Sequence, residues 1–164
     1  MPSFSFDIVS EIDKAEMNNV YMQAEKEIGT RYDFRGTAAG ISWLEDKKGF
    51  KLTGDNEWQV EAVLDIIRKK LAARDQSSKV LDLTKERAVA NLKTTWELPF
   101  KEGLPQDLAK KIAADIRNEA PKAKAQIQGE AVRVTSASKD ELQKVIALIK
   151  SKDYDAPLQF VNYR

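Results

Sequence analysis

The sequence contains no cysteine and no histidine among its 164 residues. Without cysteine the chain forms no disulfide and carries no thiolate nucleophile, and without either residue it lacks the usual zinc ligands. Histidine is also the side chain most often used for proton transfer near neutral pH. An enzyme built from this chain would have to work with carboxylates, lysine, tyrosine or serine. We therefore predict a protein that is not an enzyme and that holds no metal and no cofactor.

Long apolar runs and a surplus of one charge are missing as well. No stretch of 18 apolar residues occurs, and the N-terminus lacks the basic flank and apolar run of a signal peptide. We therefore predict a cytoplasmic protein with no membrane partner. The 27 basic residues are balanced by 26 acidic ones, whereas nucleic-acid binding usually requires a clear basic surplus.

The sequence also lacks a glycine-rich phosphate loop. Its seven glycines stand singly, and neither Gly-x-x-x-x-Gly-Lys-Ser/Thr nor Gly-x-Gly-x-x-Gly is present. Neighbouring carboxylates such as Asp7 and Glu11 show no partner that would indicate acid–base chemistry. We predict that they are solvated surface charges.

The sequence does contain an internal repeat. Residues 50–67 resemble residues 132–149 at an offset of 82, with apolar positions matching apolar positions. Upstream, residues 32–36 resemble residues 125–129 at an offset of 93, which predicts a turn 11 residues longer in the first copy. The repeat indicates a duplicated structural unit.

Hydrophobic periodicity predicts the same order of elements in each copy: strand, helix, strand, strand, helix, strand. This order predicts an α+β fold of two ferredoxin-like (split βαβ) domains, each a four-stranded antiparallel sheet with two helices on one face. The polar stretch 84–91 predicts a boundary between a first domain, 1–84, and a second, 85–164. Nine segments are predicted as strands, one more than this order requires, because both 30–36 and 41–45 have strand patterns in the first copy. They are 5–11, 30–36, 41–45, 49–53, 80–83, 92–100, 124–128, 131–135 and 158–163.

Alternation along the strands separates a helix-covered face from an open face. The residues predicted to lie beneath the helices are Tyr32, Phe34, Phe50, Leu52, Ile127, Val132 and Val134. The residues predicted on the open faces are Arg31, Asp33, Arg35, Lys51, Thr53, Gln126, Gln128, Arg133 and Thr135. Arginine binds phosphate through two parallel hydrogen bonds, and glutamine recognises base edges.

These properties make six open-face residues candidates for nucleotide binding: Arg31, Arg35, Lys51, Gln126, Gln128 and Arg133. The same pattern also fits ordinary exposed strand positions, or an interface between the two sheets. Open sheet faces of this fold bind single-stranded RNA in many domains, but such a face needs aromatic rings. By alternation along its strand, Tyr163 is predicted to lie on an open face, whereas Tyr32 and Phe34 are predicted to lie on the helix-covered face.

Several long motifs stand out: Asp7-Ile-Val-Ser-Glu11, Thr30-Arg-Tyr-Asp-Phe-Arg-Gly36, Gln126-Ile-Gln-Gly-Glu130, Val132-Arg-Val-Thr135 and Gln159-Phe-Val-Asn-Tyr-Arg164. Together they resemble the bacterial YajQ family of nucleotide-binding proteins. The resemblance implies two ferredoxin-like domains that exchange their N-terminal strands, so that 5–11 joins the second sheet and 92–100 joins the first. It also implies that the chain binds nucleotides or RNA and has no catalytic activity. Some members of the family bind cyclic di-GMP.

Three functional hypotheses follow from the sequence. The first is a nucleotide-binding protein, with a cyclic di-GMP receptor that acts through a protein partner as its more specific form. The second is a single-stranded RNA-binding module with an open sheet face like that of an RRM domain. The third is an adaptor without a small ligand. The nucleotide site is expected either on a sheet face or in a cleft between the domains near 84–91.

Overall fold

The computed structural model describes residues 3–164. Within this range the chain forms eight strands and four α-helices. The strands are β1 (Phe4–Val9), β2 (Gly40–Trp43), β3 (Gly49–Gly54), β4 (Ala88–Ala90), β5 (Lys93–Pro99), β6 (Lys124–Gln128), β7 (Ala131–Ser136) and β8 (Gln159–Val161). The helices are α1 (Lys14–Thr30), α2 (Glu57–Ala73), α3 (Gln106–Glu119) and α4 (Lys139–Ser151).

The strands form two antiparallel sheets of four strands each. One sheet has the order β6-β7-β1-β8, and the other has the order β2-β3-β5-β4. The first strand of each copy therefore lies in the sheet of the other copy: β1 pairs with β7 and β8, and β5 pairs with β3 and β4. The predicted fold class, including the exchange of N-terminal strands, is confirmed.

The chain divides into two compact units as a result of this exchange. The central unit is continuous and runs from Ile12 to Lys101. The N/C unit combines the chain up to Glu11 with Glu102–Arg164. The compact units therefore differ from the sequential ranges 1–84 and 85–164. Residues 84–91 lie inside the central unit and contribute β4.

Each sheet packs its two helices on one face, and the apolar core lies between them. Phe34, Phe50 and Leu52 are buried in the core of the central unit. Val132 and Val134 are buried in the core of the N/C unit. Ile127 packs against the same core but is only half-buried, because β6 is an edge strand.

Side-chain caps fix where three helices begin. Asp13 accepts a hydrogen bond from the Glu16 N–H, as expected of an N-cap, and Ser138 caps α4 through Glu141. The cap of α2 is Asn56, which accepts from the Gln59 N–H, rather than its neighbour Asp55. Asp55 instead accepts a hydrogen bond from the backbone N–H of Ala38, 3.0 Å away.

Two predicted strands are wrong. The segment 30–36 contains a 3₁₀ helix at Tyr32–Phe34, closed by hydrogen bonds from the Phe34 N–H to Arg31 O and from the Arg35 N–H to Tyr32 O. A 3₁₀ helix has three residues per turn, so side chains two apart do not share a face. Phe34 is buried and Tyr32 is 85% exposed, which corrects the prediction that both lie inside. The segment 80–83 likewise contains only a single bridge, at Leu81, after a 3₁₀ helix at Ser78–Val80.

The register of the strands also corrects the predicted alignment between the two copies of the repeat. The offset of 82 holds for β3 and β7, the strands that carry Phe50 and Val132. Their cross-strand partners are Trp43 and Ile127, which are 84 residues apart. The upstream match at an offset of 93 is therefore wrong, and the first copy's turn is longer by two residues rather than 11.

Candidate functional site

Three of the six predicted site residues come together on one sheet. They lie on the face of the N/C sheet opposite its own two helices, here called the open face. Gln126 on β6 is the cross-strand partner of Arg133 on β7, and Gln128 lies on the same side of β6. Gln126 and Gln128 are exposed, whereas the Arg133 side chain is 33% exposed. This cross-strand pair presents a guanidinium and a carboxamide side by side.

Arg133 is held by a carboxylate on the next strand. Asp7 lies opposite Arg133 in the register of β1 and β7, and its Oδ1 accepts a hydrogen bond from Arg133 Nε at 3.0 Å. Asn162 Nδ2 donates to the other oxygen of Asp7 at 2.9 Å. The two terminal nitrogens of Arg133 form no hydrogen bond with a described residue. The guanidinium is thus fixed at one nitrogen and keeps its other donors available.

Asp7 is almost buried although it lies on the open face. The residue is 7% exposed, which corrects the prediction of a solvated surface charge. The hydrogen bond from Arg133 lowers the pKa of the Asp7 carboxyl, and the bond from Asn162 and the charge of Arg164 act in the same direction. Burial opposes them by raising the pKa. The carboxyl therefore stays ionised, and the same hydrogen bond raises the pKa of Arg133.

The open face of the N/C sheet is cationic and contains no ring. Lys124 shares the side of Gln126, and the backbone of Arg164 pairs with Ser5 next to Asp7. None of the described residues at open-face positions of β1, β6, β7 and β8 is aromatic. Tyr163 is 60% exposed, but its ring lies 6.0 Å from the ring of the core residue Phe6. The stacking surface that an RRM-like RNA site requires is therefore absent from this face.

Lys51 occupies the equivalent position in the central sheet. It lies on β3 opposite Ser42 and Glu97, so Lys51 and Glu97 match Arg133 and Asp7. Glu97 forms its ion pair with Lys85 instead, at 3.2 Å, and its side chain is 46% exposed. At this duplicated position the central unit therefore has a half-exposed carboxylate that pairs with a different lysine, whereas the N/C unit has a buried carboxylate bonded to its cross-strand arginine.

Arg31 and Arg35 do not lie on a strand. Arg31 follows the last turn of α1 and forms two hydrogen bonds to Asp33, at 2.9 and 2.6 Å. Its guanidinium carbon also lies 4.4 Å from the centroid of the Phe34 ring. Arg35 is exposed, and its guanidinium carbon lies 5.7 Å from the centroid of the Tyr32 ring. Arg31 is thus engaged within the turn, whereas Arg35 and Tyr32 are accessible.

Pattern reasoning missed the partners of Arg133. One signal was available: Asp7 stands between Phe6 and Ile8, which are both fully buried. A charge on the central strand of a sheet requires a partner when its surroundings exclude water. Asn162 gave no signal, because it reaches Asp7 from a residue with a left-handed backbone, φ 57°, after the end of β8.

Two kinds of feature are absent from residues 3–164. These residues contain no cluster of three or more acidic side chains arranged to hold a metal ion. They also contain no helix long and apolar enough to cross a bilayer.

Comparison with known proteins gives one consistent result. The family model described as nucleotide-binding protein YajQ-like matches residues 4–164. Relatives include proteins from Nocardia farcinica (48% identical), Mycobacterium ulcerans (46%) and Nocardioides sp. (45%), each match covering 100% of both chains. Each of these relatives is called a nucleotide-binding protein. The chain belongs to the YajQ-like family.

Proposed function

We propose that the chain binds a nucleotide on the open face of the N/C sheet. Arg133 contacts a phosphate, and Gln126 contacts a base edge or a sugar hydroxyl. The observation that supports this proposal best is the fixed guanidinium, which is anchored at Nε by Asp7 and retains its terminal donors. The names of the relatives support a nucleotide as the ligand.

The anchoring of Arg133 matters because it reduces the entropic cost of binding. A free arginine side chain loses about 2 kcal/mol of rotamer entropy when it is immobilised. Here the hydrogen bond to Asp7 restricts the side chain before any ligand arrives. A charge-assisted hydrogen bond to phosphate then contributes about 1.5–3 kcal/mol. Lys124 and Arg164 offset the negative charge of Asp7, so an approaching phosphate meets a net positive face.

The proposal extends to a specific ligand and mode of action. Cyclic di-GMP is a candidate because the family resemblance implies it, and its two phosphates suit a face with several cations. We further propose that the bound nucleotide alters contact with a protein partner, since no residue on this face is suited to acid–base chemistry. Single-stranded RNA is less well supported, because the open face lacks rings.

Calorimetric titration of the full chain tests the proposal. The ligands are cyclic di-GMP, GMP, ATP, inorganic phosphate and an eight-nucleotide single-stranded RNA. We expect at least one nucleotide to bind more tightly than inorganic phosphate. Arg133→Lys keeps a charge beside Asp7 but removes the guanidinium fork, so it should weaken binding about tenfold, the loss of one charge-assisted contact. Gln126→Ala should weaken binding less and alter the preference between bases.

Lys51→Ala is the matched control, because it alters the equivalent position in the other sheet. It should leave the affinity within about twofold, a difference of roughly 0.4 kcal/mol. Unchanged affinity in both Arg133→Lys and Gln126→Ala would refute the site on the open face. If Tyr32→Ala and Arg35→Ala weaken binding instead, the nucleotide lies on the exposed turn 31–36. If no nucleotide binds, the proposed function itself is wrong.

A further inference from the structure

The central unit contains a cavity that the proposed nucleotide site does not use. It has a volume of about 360 Å³ and lies between the start of α1 and the loop that joins β2 to β3. Its main lining residues are Lys14, Met17, Trp43, Asp46, Lys47 and Phe100. This volume falls in the range of about 300–1,000 Å³ that is typical of small-molecule sites.

Aromatic rings form one wall of the cavity. The Trp43 ring stacks on Tyr21, with centroids 4.6 Å apart and an angle of 19° between the ring planes. Phe100 meets Trp43 edge-on at 6.5 Å, and Phe50 lies 5.1 Å from Trp43. The buried Phe50 and the partly buried Tyr21 and Phe100 thus hold the indole in place. Lys47 Nζ lies 5.1 Å from the Trp43 centroid and covers the ring with an exposed side chain.

Backbone hydrogen bonds fix the loop between β2 and β3 that contributes Asp46 and Lys47 to the cavity. The Phe100 N–H donates to Lys48 O at 2.8 Å, and the Leu44 N–H donates to Gly49 O at 2.8 Å. At Gly49 a side chain has no room, because a Cβ there would lie 2.3 Å from Leu98 O. The loop is therefore tied to the sheet at both ends. The cavity is largely formed before any ligand binds.

Two lysines at the rim lack a carboxylate partner. Neither Lys14 nor Lys47 forms an ion pair with a described residue, although Asp46 lies in the same loop. Asp46 and Lys47 both have left-handed backbones, with φ of 57° and 55°. Non-glycine residues rarely adopt this conformation, so the surrounding structure must hold the loop in it.

The second copy of the repeat shows that the fold does not require this cavity. Ile127 stands at the position of Trp43, and the equivalent hairpin turns at Gly129 and Glu130 with two residues fewer. The N/C unit therefore has neither the ring nor the lysine-bearing loop. The aromatic wall and the two lysines are additions to one copy of a unit that folds without them.

We propose that this cavity binds a planar aromatic ring that bears an anionic group. The ring packs against Trp43 and Phe100 after Lys47 swings away from the indole, and the anion pairs with Lys47 and Lys14. A nucleoside monophosphate and an aryl carboxylate share this chemistry. The site is separate from the open face of the N/C sheet and does not depend on the proposed function there.

Nuclear magnetic resonance of the ¹⁵N-labelled full chain tests the site, because each of the three tryptophans gives one indole N–H signal. Trp43→Phe identifies the signal of Trp43. The probes are 2-naphthoate, its neutral analogue 2-naphthol, AMP and inorganic phosphate. We expect 2-naphthoate to shift the Trp43 signal and leave the signal of the exposed Trp58 in place. Inorganic phosphate alone should shift neither.

Substitution of the two lysines tests whether binding requires their positive charges. Lys14→Gln combined with Lys47→Gln should weaken 2-naphthoate binding about tenfold and bring it close to that of 2-naphthol. Lys69→Gln, an exposed lysine on α2, is the matched control and should change nothing. AMP that shifts Trp43 identifies nucleotides as ligands, and AMP that does not restricts the site to other aryl anions. The proposal is overturned if millimolar 2-naphthoate leaves Trp43 unmoved, or if the double variant binds it as tightly as the wild type.

Discussion

The buried carboxylate of Asp7 gives the sharpest test of how the open face is built. In Asp7→Asn the side chain keeps its shape but loses its charge and one acceptor. One of the two donors, Arg133 Nε or Asn162 Nδ2, then faces an NH₂ group. Each charge-assisted hydrogen bond contributes about 1.5–3 kcal/mol, so losing one should lower the free energy of unfolding by about 2 kcal/mol at pH 7. The matched change Glu97→Gln, at the equivalent exposed position, should cost about 0.5 kcal/mol or less.

The pH dependence separates this bond from a packing effect. The folded-state pKa of Asp7 is depressed, so its stabilisation is fully present above the unfolded value, about 3.9, and is lost as pH falls towards the folded value. The stability gap between wild type and Asp7→Asn should therefore stay constant from pH 7 to pH 5 and narrow below about pH 4. Urea titrations at each pH measure this stability gap. Unfolding is followed by far-UV circular dichroism rather than by tryptophan fluorescence, because all three tryptophans lie in the central unit and Asp7 lies in the N/C unit. A gap under about 0.5 kcal/mol at pH 7, or one that does not narrow by pH 2.5, would refute the reasoning.

Three further predictions concern the fold and the absence of catalysis. A fragment 12–101 should fold alone, with cooperative unfolding and a buried core, whereas a fragment 1–84 should not, because it lacks two strands of the central sheet and most of the other sheet. In urea unfolding, Gly49→Ala should lower the free energy of unfolding by about 2 kcal/mol or more, since a Cβ there meets backbone atoms. Gly29→Ala lies in open space on α1, so it should leave the free energy of unfolding unchanged or raise it by up to about 1 kcal/mol. Purified protein should release no product from radiolabelled nucleotides, and product formation proportional to protein concentration would contradict a binding-only function.

The elements with strong periodicity were predictable from the sequence, and the irregular segments were not. Phe50, Leu52, Val132 and Val134 alternate with polar residues on central strands, so their burial followed from the pattern. The turn at 31–36 also alternates, but local hydrogen bonds form a 3₁₀ helix there. Alternation alone does not distinguish these two backbones.

The candidate site was only partly predictable because its key contacts join distant parts of the chain. Alternation along the strands predicted that Gln126 and Arg133 lie on one face, since they belong to neighbouring strands of one hairpin. The partner of Arg133 is 126 residues away in sequence and comes from an exchanged strand. No periodicity indicates which sheet such a strand joins. The exchange followed only from the family resemblance.

The most direct test of the proposed function is to map a bound nucleotide on the ¹⁵N-labelled chain. Whichever nucleotide binds in the titrations is added to saturation, and the shifts of backbone and side-chain N–H signals are recorded. The proposed site predicts large shifts at the Gln126 and Asn162 side-chain amides and at Arg133 Nε, and no shift at Lys51, which lies on the equivalent face of the central sheet. Shifts confined to other parts of the chain, with these three signals unmoved, would contradict a nucleotide site on the open face of the N/C sheet.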